Sequence, residues 1–319
     1  MKTRFASVAA VFLGAAYVAG CGSGDDASLG QQSNGSTASD YIQSPVGPVH
    51  KSCFHALSDG DIVDEAGNIT HADGTQEIIA GCAYPDPLQT KHAGGKAPTA
   101  SQAPTDNGWT ETAYWEAPGD VGTLYSALRV PNEPKTKGGE LVFLFSALED
   151  GNWENIVQPV IQFGPNGNYG GNYWGYASWY GGSYWHGHYY MSPYKRVNPG
   201  TIVYGDTYGT ASNCKGGCPW TIDTWTNASD MTRLTVHTTL GWRVVFGGTI
   251  EVYGVKSCNE YPASASTFSD IIVNKWGGDW GTFGNVSWTP SVDKTTCGEH
   301  VKSSAKSCSS CAPSVNLFY

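Results

Sequence analysis

The sequence predicts an all-β protein, an antiparallel double-sheet sandwich with a small disulfide-closed N-terminal segment. Short apolar runs alternate with Gly, Pro and Asn, and no stretch keeps a helical period of useful length. The composition agrees: 13% of residues are aromatic and only 14% charged, with 41 glycines, 12 tryptophans and 18 tyrosines. Cysteines spaced along the chain add the closed loops expected of an exported β protein.

Residues 1–21 read as a secretory leader. Lys2 and Arg4 precede an apolar core from Phe5 to Val18, and Val18-Ala-Gly-Cys21 is a small-residue cleavage site. Its ending is similar to a bacterial lipobox, which makes Cys21 the expected lipidation site and a lipid anchor the expected membrane contact. The expected location is the cell envelope, or the medium after ordinary cleavage. Residues 22–45 are rich in Gly, Ser, Asp and Asn and read as a flexible tether. Residues 46–104 carry repeated turn signals and read as a small N-terminal segment, a subdomain or a pro-like piece, packed on the main body.

Residues 105–319 form the expected sandwich. Its strands are expected at Glu111–Trp115, Thr123–Val130, Glu140–Ala147, Ile156–Phe163, Tyr173–Tyr180 and Tyr184–Met191. Further strands are expected at Thr201–Asp206, Arg233–Thr238, Trp242–Phe246, Thr249–Val255, Asp270–Val273 and Ser314–Tyr319. The formal charge of -10 and the absence of a basic run exclude nucleic acid as a natural partner. Few lysines and a net negative charge suit a protein working in acid.

With Cys21 set aside, eight cysteines remain: Cys53, Cys82, Cys214, Cys218, Cys258, Cys297, Cys308 and Cys311. Eight in an exported chain imply four disulfides, and nearest-neighbour closure gives 53–82, 214–218, 258–297 and 308–311. The Cys-x3-Cys and Cys-x2-Cys pairs also fit zinc spacing, but no His stands beside them at ligand distance.

Two strands carry polar groups where apolar ones are expected. In Asn155–Gly164, Ile156, Gln158, Val160 and Gln162 share a face, and a buried amide needs partners or a task. In Gly247–Tyr253 the carboxylate Glu251 sits within an apolar strand. The alternative is a wet concave face for the glutamines and a water-facing edge for Glu251. The run from Tyr169 to Tyr190 is the most aromatic of the chain, and its excess over one buried face points to a groove that stacks on a peptide or a sugar. Gln158, Trp174, Trp179, Tyr180 and Trp185 are its candidate binding residues. His186-Gly-His188 sets two imidazoles on one strand face, but lacks a third ligand; no metal and no cofactor is expected. No phosphate loop, Gly-x-Ser-x-Gly elbow or Cys/His nucleophile pair stands out.

The order of landmarks resembles the eqolisin family of glutamic peptidases, over roughly residues 105–290. Asn107-Gly-Trp109 looks like the family's opening Asn-Trp segment, and Ser126-Ala-Leu-Arg-Val-Pro131 like its strand ending in Val-Pro. Val160-Ile-Gln-Phe-Gly164 is similar to the strand carrying the catalytic Gln, and Thr249-Ile-Glu-Val-Tyr253 to the strand carrying the catalytic Glu. Ser178-Trp-Tyr180 followed by Val197-Asn-Pro-Gly200 looks like the Trp-Tyr strand and the turn after it. One departure is Gly181, where the family usually has an acid after the Trp-Tyr pair.

The resemblance implies a concanavalin-like double-sheet sandwich and an endopeptidase with a polypeptide substrate. Glu251 would act as general base on water and Gln162 would stabilise the oxyanion. Desolvation on an apolar strand would raise the carboxyl into the mildly acidic range. The alternative is a noncatalytic carbohydrate-binding or adhesion sandwich with a glycan in the aromatic groove.

Overall fold

The computed structural model describes residues 40–92, 106–210, 218–276, 283, 286–304 and 313–319. The expected leader, Cys21, most of the 22–45 stretch and three cysteines (Cys214, Cys308 and Cys311) lie outside those residues. Residues 39–319 form one compact unit.

The N-terminal part contributes β1 (Tyr41–Ser44), β2 (Gly47–His50), β3 (Phe54–Ala56), β4 (Ile62–Val63), β5 (Ile69–Thr70), β6 (Gln76–Glu77) and a short helix α1 (Pro87–His92). The centre of the chain contributes β7 (Asp106–Arg129), β8 (Leu141–Asp150), β9 (Asn155–Phe163), β10 (Trp174–Gly182), β11 (His188–Met191) and β12 (Lys195–Arg196). Then come β13 (Ile202–Gly209), β14 (Cys218–Trp225), β15 (Thr232–Thr238) and β16 (Trp242–Val255). The chain ends with β17 (Ser266–Lys275), β18 (Thr289–Val292), β19 (His300–Ser304) and β20 (Ser314–Phe318).

Two sheets share β7. Its first half pairs with β16 and β18, and β16 continues through β8, β9, β10 and β11 to β3. Its second half pairs with β13 and β17. Beyond β13 lie β14, β15, β4, β5 and β6, and beyond β17 lie β20 and β19. The expected Glu111–Trp115 and Thr123–Val130 strands are therefore one strand. The Pro118-Gly119 step between them makes only a register shift, falling between the Glu116 and Val121 pairings. β14 was not among the expected strands; its first residue, Cys218, was expected in a 214–218 disulfide.

The main core lies between the sheets. Leu144, Ile161, Trp174, Tyr176, Ile250 and Val252 from one sheet meet Leu128, Val203, Trp220, Ile222 and Phe268 from the other. A second apolar layer lies on the outer face of the first sheet, where Ile42, Val46, Val49, Cys53, Phe54 and Leu88 cover Phe143, Phe145, Val160, Trp179 and Phe246. Residues 41–44, expected to belong to a tether, are a paired strand with Ile42 buried in this layer. The segment also enters both sheets directly, β3 running parallel to β11 and β4 parallel to β15. Cys53–Cys82 and Cys258–Cys297 are bonded, as nearest-neighbour closure expects, and Cys218 is disulfide-bonded.

One buried acid sets the chain's response to pH. Glu111 on β7 is 1% exposed, and burial pushes its carboxyl up to about 9, with Glu299 adding to the effect and the Phe318 N–H opposing it. The folded state thus keeps a proton that the unfolded chain releases above about 4.5. Stability from this group is complete below that value and is lost as pH rises toward 9. Glu111→Gln, neutral at every pH, is expected to gain on the order of 3 kcal/mol near neutrality and nothing in acid. Urea titrations of both proteins at the two pH values check this; equal differences at both would refute it.

Candidate active site

The strand β9 is buried along its whole length, so every side chain on it meets protein. Val157, Ile161 and Phe163 enter the main core, while Ile156 and Val160 enter the outer layer. By strand alternation Gln158 and Gln162 belong to that outer face. Pro159, which has no N–H to give, interrupts the ladder to β8: pairing runs from Val142↔Phe163 to Phe145↔Val160 and resumes at Leu148↔Val157.

Glu251 reaches the same face through a bulge. At the start of β16, Val244 and Phe246 face the outer layer while Trp242 and Val245 face the main core. Strict alternation from Phe246 would then send Glu251 inward. The register instead shifts after Phe246 against both neighbouring strands. Ile250 and Val252 turn into the core, and Glu251 and Tyr253 turn outward. Two glycines form the bulge because nothing larger fits. A Cβ on Gly247 would come within 2.6 Å of the Trp288 ring, and one on Gly248 within 2.5 Å of Phe268.

Gln162 and Glu251 consequently stand in one row. Gln162 lies directly opposite Phe143 on β8, and Phe143 lies directly opposite Glu251 on β16. The row continues to Gly175 on one side and Trp109 on the other. Residues directly opposite share a face, so the amide and the carboxylate flank the Phe143 ring with backbones about 10 Å apart.

The carboxylate is held from two sides. Trp109 Nε1 donates to Glu251 Oε2 at 2.7 Å, and the Tyr253 hydroxyl donates to Oε1. Tyr253 stays a neutral donor, because burial and then the charge of Glu251 push its phenol well above the usual range. The Gln162 amide donates to the Gly164 carbonyl at 2.8 Å and the Tyr169 carbonyl at 3.3 Å. The Gln162 Oε1 and the Gln158 Oε1 are buried without a hydrogen-bond partner. Trp109 and Tyr253 were missed as site residues. Tyr253 was findable, since a residue two positions from Glu251 on a strand shares its face; Trp109 needed the β7–β16 register.

The site is closed. Gln162 is 1% exposed and Glu251 0%. The cover is the chain's own N-terminal segment, with Gln43 N–H donating to the Asn166 carbonyl at 2.9 Å and the Gln43 side chain reaching Tyr253. The four aromatic residues expected to line a groove are buried instead. Trp174, Tyr180 and Trp185 sit in the main core, and Trp179 packs under Phe54 at 5.6 Å between ring centroids. None of the four opens onto a groove.

The two histidines do not share a strand face. His186 adopts a left-handed conformation in the turn before β11, and His188 begins the strand. No cluster of metal-binding side chains occurs among the described residues. His188 instead joins the cover to the body: its Nε2–H donates to the Ala80 carbonyl at 2.7 Å, and its Nδ1 accepts from His55 Nε2–H at 2.9 Å. Burial, then the neighbouring His188, hold the His55 imidazole down at about 4. The stability this pair gives is complete above about 6.5 and is lost as pH falls toward 4. Asp86, which accepts from Tyr189 OH at 2.6 Å, acts in the opposite sense, because burial raises its carboxyl. Amide exchange of residues 54–56 is expected to quicken as pH falls through this window once corrected for intrinsic rates, and to lose the dependence in His55→Gln. Exchange that tracks the intrinsic rate alone would rule this out.

No protein-family model and no curated protein matches the chain. Solved structures similar to it include a scytalido-glutamic peptidase with a peptide-based transition-state analogue, at 12% identity and TM-score 0.43. Another is SCP-B, a member of the eqolisin family of peptidases, in a complex with the tripeptide Ala-Ile-His, at 12% identity and TM-score 0.44. Each comparison covers 68% of this chain and 100% of the other.

Proposed function

We propose that this protein is a glutamic-type endopeptidase whose catalytic pair, Gln162 and Glu251, is kept latent by residues 40–92. The observation that carries the reading is the single row Gln162–Phe143–Glu251 on one sheet face. A general base and an oxyanion donor must face the same reacting carbonyl, and a shared row gives them that common face.

The chemistry follows from the groups present. Glu251, oriented by Trp109 and Tyr253, takes a proton from water as the water adds to a peptide carbonyl. The Gln162 amide N–H then donates to the oxygen as it gains charge, an interaction worth on the order of 3 kcal/mol in the transition state. Protonated Glu251 returns its proton to the leaving amine, so the carboxylate is regenerated. No covalent intermediate forms.

In the covered state the arrangement is not the working one, because both amide hydrogens of Gln162 point to carbonyls of the 164–169 loop. Movement of the cover would admit an extended polypeptide to the face it now occupies. The test is digestion of a denatured protein substrate in acid, with the intact chain and with chain nicked beforehand by a neutral protease between residues 92 and 106. Cleavage that depends on nicking or on acid supports the reading; no cleavage by any form of a folded sample removes it.

A further inference from the structure

A buried hydroxyl with no partner lies beside Gln162. β9 runs next to β10, and β10 next to β12. Gly175 on β10 is directly opposite Gln162 and leaves the outer face there without a side chain. Tyr194, just before β12, fills that space: a Cβ on Gly175 would come within 2.3 Å of its hydroxyl oxygen. Cβ positions directly opposite on neighbouring strands are about 5 Å apart, so the phenol ends within a side chain's reach of the Gln162 amide. The Tyr194 ring also stacks on Tyr169, with centroids 6.0 Å apart and planes 27° apart. The Tyr169 carbonyl in turn holds one of the Gln162 amide hydrogens.

The polar atoms here are complementary but unjoined. The Tyr194 hydroxyl and Gln162 Oε1 are both buried without a partner, and the one can donate where the other accepts. Burial, then neighbouring Tyr173, raise the Tyr194 phenol, with Arg196 opposing, so it stays a neutral donor. Each unpaired group is costly where it stands. Packing alone does not need this hydroxyl, since a phenylalanine ring would fill the same space without the polar atom. Direction matters too, because an amide carries its oxygen and its NH2 on opposite sides of one carbon. The row runs Gly175, Gln162, Phe143, Glu251. Held by its oxygen on the Gly175 side, Gln162 presents its N–H groups on the Phe143 side, toward Glu251.

We propose that Tyr194 is a positioning residue for Gln162. Once the cover and the 164–169 loop move, its hydroxyl donates to Gln162 Oε1 and turns the amide N–H toward the scissile carbonyl. This role rests on the reading of Gln162 and Glu251 as the catalytic pair. It gives the covered and working states different partners for one amide. Covered, the amide hydrogens are taken by the Gly164 and Tyr169 carbonyls and the oxygen is left over. Working, the oxygen is taken by Tyr194 and the hydrogens are free for substrate. Gly175 is part of the device, because any side chain there would push the phenol away from the row.

The test is Tyr194→Phe in the full chain, nicked between residues 92 and 106 as above. The substrate is an internally quenched peptide copied from a cleavage site in the denatured protein, so that kcat and KM separate. kcat is expected to fall about tenfold to a hundredfold, the scale of a misplaced catalytic group, with KM within about twofold. The unfolding temperature of the unnicked variant should hold or rise, because the hydroxyl has no hydrogen bond to lose in the covered state. A residue acting only through Gln162 adds nothing once that amide is gone. Gln162→Ala should therefore have the same residual kcat with or without Tyr194→Phe. An active parent whose Tyr194→Phe variant keeps its kcat overturns the role, as does an undiminished loss in the Gln162→Ala background. A parent that never cleaves removes the peptidase reading, and this role with it.

Discussion

Glu251→Gln is expected to remove the proposed hydrolysis of a denatured protein, by about a thousandfold or more, and to leave the sandwich folded. The substitution keeps the shape of the side chain and deletes only its capacity to take a proton. It carries a structural cost that can be read from the site. Glu251 accepts from Trp109 on one oxygen and from Tyr253 on the other, and an amide can accept on only one. The second donor then meets an NH2 group, a loss of roughly 1–3 kcal/mol. Thermal unfolding of the variant should therefore begin lower but remain cooperative. The measurement is cleavage of a denatured substrate in acid by activated protein, with circular dichroism on the same sample. A folded variant that cleaves as fast as its parent leaves Glu251 with no part in the chemistry.

Ile42→Asp is expected to raise cleavage by the intact chain, on the order of a hundredfold. Ile42 is 3% exposed and belongs to the apolar layer between the cover and the sheet face that carries Gln162 and Glu251. A carboxylate there must either lose its water, at a cost of several kcal/mol, or bring the strand out into solvent. The second course opens the site without touching Gln162, Glu251 or their partners. Hydrogen exchange across residues 41–50 should rise together with activity. If exchange rises and activity does not, the cover is loose but does not limit access. If neither changes, Ile42 does not hold the cover.

The face of β9 was legible from alternation alone, because Ile156, Gln158, Val160 and Gln162 keep a strict period of two and nothing disturbs it. The face of Glu251 was not legible. Its direction depends on the bulge at Gly247-Gly248, and a pair of glycines in a strand does not announce which way the count shifts. The aromatic run misled for a different reason. Its surplus over one buried face was read as a groove, whereas the strand that carries Trp174, Tyr176, Trp179 and Tyr180 is buried on both faces. The cover accounts for the surplus, and its apolar residues, Ile42, Val46, Val49 and Phe54, are too scattered among turn residues to signal a layer. Register across strands distant in sequence, such as Trp109 beside Glu251, is set by tertiary pairing and leaves no local trace.

The Gly247-Gly248 bulge also makes the two halves of β16 differ in how they tolerate change. A point substitution along the strand alters one contact, whereas loss of a single codon at the bulge rotates everything after it by half a turn. Glu251 would then be carried into the core and Ile250 onto the outer face. Insertions and deletions, usually absorbed by surface loops, are at this position switches on the phase of a buried strand. Among descendants of this sequence, a length change between Phe246 and Thr249 would mark a lineage that kept the sandwich and gave up its carboxylate.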